Sequence, residues 1–357
     1  MARTLDIHRG NKGPHPSKEV TAAAALVGAA AVGGTVAWST RAGSKRDAEQ
    51  AFRLYKEEAI PDGIRRIARG QLEQAHAELA DGPKRKLANA VHDTRKGFKR
   101  LRATLRLARG AIGDEAYRRE NTAFRDAGRR LSGVRDASVL IETLDELERA
   151  SGSDLPGGGT ARLREQLEDE RKQALDSLKA DDALVAAVIA DIEQARTRTA
   201  AWTFELQGFD ALEPGLRRIY RRGRNAMRRA QADPTNQNLH DWRKRVKDLW
   251  HAEQILRPAA PKKMKKLAKR THALADLLGD DHDLAELRLY VGRHRSGFDD
   301  RVAQVAVMAV IDRRRKELQR RAFSLGPQLY GRSPKRFVAG IGRGWRKRAR
   351  PAQTAGA

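Results

Sequence analysis

At 357 residues the chain can bury a substantial core, and 72 Lys and Arg against 46 Asp and Glu leave a net charge of +26. Folding around a neutral small molecule does not need that excess, which points instead to an anionic partner: a phosphate polymer, a nucleic acid or an anionic membrane. The absence of Cys excludes disulfides, thiolate metal sites and cysteine nucleophiles, while 5% aromatics and abundant Ala, Leu, Arg, Glu and Lys favour an α-helical chain.

Residues 1–46 form an N-terminal segment without helical periodicity. Its first 19 residues are polar and read as disordered. Val20 to Thr40 carries no charge and is long enough to span a bilayer, but it is mostly Ala and Gly, which contribute little to insertion. It reads as a loosely ordered segment, with a membrane helix over 20–40 as the lesser alternative.

Helical periodicity begins near Asp47. Asp62-Gly-Ile-Arg-Arg-Ile67 resembles Pro214-Gly-Leu-Arg-Arg-Ile219, so each is expected to open one half of a duplicated chain. In the second copy Arg217, Arg221, Arg224 and Arg228 fall on one helical face. Such like charges repel each other unless a polyanion lies along them.

Asp81-Gly-Pro83 and Asp233-Pro234 each read as the start of a second helix. Within those helices His92, Arg95, Lys96 and Lys99 align with His240, Arg243, Lys244 and Lys247. At 100° per residue the first set continues through Arg102 and Arg106 as a cationic face, opposite Leu87, Val91, Phe98, Leu101, Leu105 and Ala108. The second set opposes Leu239, Trp242, Val246 and Leu249.

A third helix is expected from about Asp114 and from about Lys262. These carry Arg118, Arg125 and Arg129, and Lys262, Lys266 and Lys269, before reaching Arg135-Asp136 and His282-Asp283. Ser151 to Thr160 reads as a surface loop, Ala161 to Trp202 completes the first bundle, and Leu206 to Pro214 is the junction. The expected division is 47–207 and 208–345, followed by a basic tail at 346–357.

His-x-x-Arg-Lys-x-x-Lys-Arg-Leu-Arg at His92 to Arg102, its repeat from His240, and the paired segments Leu131-Ser-Gly-Val-Arg135-Asp136 and Leu278-Gly-Asp-Asp-His282-Asp283 resemble the CHAD family, the conserved histidine α-helical domain. The resemblance covers roughly residues 59–345. Asp248 and Trp250 depart from it, replacing the second copy's Arg-x-Arg end. It implies an all-α fold of two tandem bundles with internal pseudo-twofold symmetry, whose basic faces line a central groove or channel.

The implied activity is binding of inorganic polyphosphate without catalysis, in the cytoplasm and in association with polyphosphate granules. The expected ligand contacts are His92, Arg95, Lys96, Lys99, Arg102, Arg106, Arg129, Arg217, Arg221, Arg224, Arg228, His240, Arg243, Lys244, Lys247, Lys266 and Lys269. No cofactor and no metal ligand is expected. A structural role for His92 and His240 is the alternative to ligand contact.

Nonspecific nucleic-acid binding is the principal rival, although no helix-turn-helix, RNA-recognition or zinc-finger signature occurs, nor aromatics interleaved with the basic faces. A metal-dependent tri- or polyphosphate hydrolase is a weaker one. His-Asp occurs at His92, His240 and His282, but adjacent helical residues point about 100° apart and do not converge on a metal. Asp280, Asp281 and Asp283 are expected to charge the start of a following helix. Glu168-x-Glu170-x-Lys172 fits a triphosphate-tunnel pattern that needs a strand, and here it sits in a helical stretch.

Overall fold

The computed structural model describes residues 49–80, 87–152, 155, 159–298 and 300–349. The N-terminal stretch read as disordered, the alternative membrane helix over 20–40, the expected Asp81-Gly-Pro83 helix start, most of the Gly-rich loop and the tail beyond Ala349 lie outside them. Among the described residues there is no strand, and no helix is long and apolar enough to cross a membrane.

The helices are α1 (Ile60–Ala80), α2 (Leu87–Ile112), α3 (Asp114–Arg130), α4 (Gly133–Ser151), α5 (Ala161–Lys179), α6 (Asp182–Ala200), α7 (Glu213–Ala232), α8 (Asn236–Ile255), α9 (Pro261–Arg293), α10 (Arg301–Tyr330) and α11 (Pro334–Ala349). Local chemistry sets several ends. The Asp181, Thr235 and Asp300 side chains accept from the backbone N–H of Leu184, Asn238 and Ala303, which opens α6, α8 and α10. Pro261 is the first residue of α9 and Pro214 the second of α7, positions where a missing N–H removes no helical hydrogen bond.

Packing follows a repeated order. In the first half α1 packs on α2, α2 on α3, α4 on α5, and α6 returns to α1. In the second, α7 packs on α8, α8 on α9, α9 on α10, and α11 returns to α7. The single long α9 therefore stands where the first half has α3 and α4. The buried residues of both halves form one contiguous cluster, within a compact unit spanning Ala48–Ala357.

The acidic run at Asp280 to Asp283 corrects one expectation: it lies inside α9 and starts no helix. No Pro interrupts α9 there, and α9 packs continuously between α8 and α10. Buried Asp281 accepts from Arg315 Nε at 3.0 Å and Gln319 Nε2 at 2.7 Å, which ties the middle of α9 to α10. In the first half the chain does break at Leu131–Ser132, and Arg95 Nη1 donates to both carbonyls, at 3.1 and 2.9 Å. At the aligned place Gly279 leaves room for Arg243, whose Nε would lie 3.7 Å from an added Cβ.

The halves meet where α2 crosses α7 and α8. A Cβ added to Gly215 would lie 1.9 Å from the Leu107 carbonyl oxygen, and one on Gly110 would lie 2.8 Å from Pro214 Cβ. Gly215→Ala must push α7 off α2. Overpacking of this kind is expected to destabilise the protein by about 3 kcal/mol, roughly 6 °C in melting temperature at this chain length. Thermal denaturation checks it, and an unchanged melting temperature would contradict the close crossing.

Candidate functional site

The split of α2 into two faces is realised in its burial. Val91, Phe98, Leu101, Leu105 and Ala108 are buried, while His92, Lys96 and Lys99 are exposed and Arg95, Arg102 and Arg106 half-buried. On α8 the apolar residues Leu239, Trp242, Val246 and Leu249 are buried as expected. Its cations sit deeper than those of α2: His240, Arg243, Lys244 and Lys247 are all half-buried.

Around His240 the second copy forms a tight cluster. Its ring lies 4.2 Å from that of His282 on α9. Burial, then the Lys244 and Arg243 charges, lower the His240 pKa; burial, then His240 and Arg243, push His282 down to about 3. Both imidazoles are therefore neutral at pH 7. His240 Nδ1 and Arg243 Nε are buried and have no hydrogen-bond partner among the described residues. Unsatisfied buried polar atoms beside Lys244 are suited to an incoming oxyanion or an ordered water.

Lys247 packs its ammonium 5.5 Å from the Trp250 ring centroid and 4.0 Å from Asp276. Burial, reinforced by Arg243, lowers its pKa. One turn further along α8, the His251 ring meets Phe52 edge-on at 5.8 Å. Burial and the charges of Arg100, Lys247, Arg106 and Lys99 hold His251 well below the usual imidazole range. Cations from α2 and α8 thus lie close enough to His251 for their charges to be felt at one point.

A cleft opens beside that point, between α2, α3, α7 and α8. It is lined by Arg106, Arg109, Tyr117, Arg218, Ile219, Arg222 and Asp248. Asp248 is its lone carboxylate, ion-paired to Arg106 at 3.2 Å and to Arg245 at 3.0 Å. Burial, then the Arg245 charge, lowers the pKa of Arg222, and burial with Arg106 does the same to Arg102. Arg109 is held by Asp114 at 2.7 Å and Arg218 and Arg222 reach solvent, yet guanidiniums still outnumber carboxylates here, which favours an added anion.

The expected residues are not all brought to this cleft. Arg217, Arg221 and Arg228 are exposed and Arg224 half-buried, and Arg217 pairs with Glu213. The α7 arginines that line the cleft are Arg218 and Arg222, one position along from Arg217 and Arg221 and about 100° around the helix. Arg129, 3.9 Å from Asp126, is exposed, as are Lys266 and Lys269, and none of the three lines the cleft.

Arg109, Arg218, Arg222, Arg245, Arg315 and His251 are the charged or polar groups missed from the sequence. A signal existed for two of them, because Arg218, Arg222 and Arg229 form a second stripe on α7. The His-Asp pairs diverge: His240 packs on His282 while Asp241 pairs with Lys244. Glu168, Glu170 and Lys172 lie on helix α5, and Glu170 accepts from the Tyr290 hydroxyl at 2.7 Å.

Comparison with known proteins supplies two findings. The sequence model of the CHAD domain matches residues 42–291. The fold is similar to the solved structure of PptA from Streptomyces chartreusis, with a TM-score of 0.55 and 16% identity over 76% of this chain and 100% of that one. No curated protein matches the sequence.

Proposed function

This chain belongs to the CHAD domain family, and from that premise we propose that it binds inorganic polyphosphate, without catalysis, along the basic faces of α2 and α8 and the arginine cleft between them. The observation that carries this reading is the excess of guanidiniums over carboxylate around Asp248, where the two halves meet. Polyphosphate is flexible, has about one negative charge per phosphate and presents no bases, so its recognition rests on repeated, pre-positioned charge. Helices packed through their apolar faces hold Lys and Arg in register, which leaves less ordering to be done at binding. Arg adds paired hydrogen bonds to phosphate oxygens.

The repeated packing order supports a pseudo-twofold relation between α1–α6 and α7–α11, with the groove along its axis. Under this reading His240 and His282 act as neutral donors or take up a proton when the polyanion arrives. Association with polyphosphate granules follows if the groove accepts a long chain that continues beyond the protein.

The test is competition between polyphosphate and duplex DNA as ionic strength rises. Both ligands bind with counterion release, so both weaken. A groove built for a narrow, unbranched chain is expected to retain polyphosphate at salt that strips DNA. DNA outlasting polyphosphate would make nonspecific nucleic-acid binding the better account. Phosphate release from polyphosphate in the presence of Mg²⁺ or Mn²⁺ by homogeneous protein would overturn the non-catalytic part.

A further inference from the structure

Asp248 is an anion where the surrounding chemistry calls for cations. At the aligned position of the first signature helix stands Arg100, and two residues on, Trp250 stands where the first has Arg102. The Asp248 side chain is 12% exposed, and the Arg106 and Arg245 side chains that grip it are 17% and 20% exposed. Arg222 faces the same carboxylate from α7. A carboxylate and a phosphate oxygen offer a guanidinium the same paired acceptors, so they compete for the same N–H groups.

We infer that Asp248 is a resident counter-ion occupying a phosphate subsite made by Arg106, Arg222 and Arg245, and that a phosphate of the ligand must displace it to bind there. Without ligand the carboxylate offsets like charges that the crossing of α2, α7 and α8 forces together. With ligand it repels. Asp248 therefore lowers affinity at this junction and leaves the α2 ladder, with its exposed Lys96 and Lys99, as the stronger half of the groove. The inference rests on the polyphosphate reading and names a residue that tunes it.

The experiment compares wild type, Asp248→Asn and Asp248→Ala for binding of inorganic polyphosphate of one defined chain length over a series of salt concentrations. Asp248→Asn is expected to bind about tenfold tighter at low salt, with the log–log salt slope steepened by about 0.7 for one added phosphate contact. The free variants are expected to melt lower than wild type and to gain more from saturating polyphosphate.

Wild-type affinity and slope in a folded variant would overturn the inference and leave the polyphosphate reading intact. A wild-type protein that binds no polyphosphate would overturn both. Should neither variant fold, Arg245→Gln is compared with the charge-balanced pair Arg245→Gln/Asp248→Asn. The pair is expected to bind tighter than Arg245→Gln alone, and equal affinities would sink the inference.

Discussion

Changing Arg102, Arg106 and Arg222 together to Gln is expected to weaken polyphosphate binding by at least about 100-fold, or about 3 kcal/mol. Arg106 and Arg222 line one cleft from α2 and α7, Arg102 stands one turn from Arg106 on α2, and burial disfavours the charge of Arg102 and Arg222 in the free protein. A bound phosphate makes charge-assisted hydrogen bonds to guanidiniums already gathered near one spot, so the three together contribute more than the same number of scattered cations. The control removes the same charge from the exposed Arg343, Arg346 and Lys347 of α11, with an expected loss below about fivefold. Gln preserves a donor to Asn121, which now accepts from Arg102 Nε at 3.1 Å, and the helical signal is expected to persist. Equal losses from the two triple variants would mean that binding follows net charge and not the cleft.

The second large effect is on stability. Glu253 of α8 is fully buried, and its carboxyl oxygens lack a hydrogen-bond partner of good geometry among the described residues. Burial pushes it up to about 8, against a smaller opposing influence of the Thr271 hydroxyl. Its folded pKa lies above its unfolded value near 4.5, so the folded state holds the proton more tightly. The associated stability is complete below about pH 4.5 and is lost as pH rises toward 8, where the loss levels off.

At about 1.4 kcal/mol per unit, the whole span amounts to about 4 to 5 kcal/mol. Glu253→Gln keeps the shape and removes the titration. The variant is expected to match wild type near pH 4 and to melt roughly 8 °C higher at pH 8. Denaturation curves across that range decide it, and a pH-independent difference would show that Glu253 does not titrate as its burial dictates. The prediction is independent of polyphosphate, because Glu253 lies on the core side of α8 beside buried Leu249 and Ala252.

What the sequence determined by itself is what neighbours within about four residues control. Helix starts at Asp114 and near Pro261, the short junction before α7, and the apolar and cationic faces of α2 and α8 follow from periodicity and proline geometry, whereas α8 opens at the Thr235 cap and not at Asp233-Pro234, so Pro234 precedes the helix. Each is a local property, set before any two helices touch. The repeated motifs carried the family as well, because residues at matched spacing return with the same chemistry.

Tertiary structure alone decided which charges share a site. Gly215 against the Leu107 carbonyl sets the rotation of α7, and that rotation turns Arg218 and Arg222 into the cleft. The Arg217 stripe, equally cationic in sequence and no more exposed, does not line that cleft. Continuity of α9 through Gly279 depends on packing against α8 and α10, which overrides the break that the first half makes at Leu131–Ser132. Asp248 reads locally as a surface residue, and its ion pair with Arg106 and its nearness to Arg222 arise only because α2, α7 and α8 cross there. Residues more than a hundred positions apart are brought together by helix packing, and periodicity reports the face a residue occupies, not the partner that face meets.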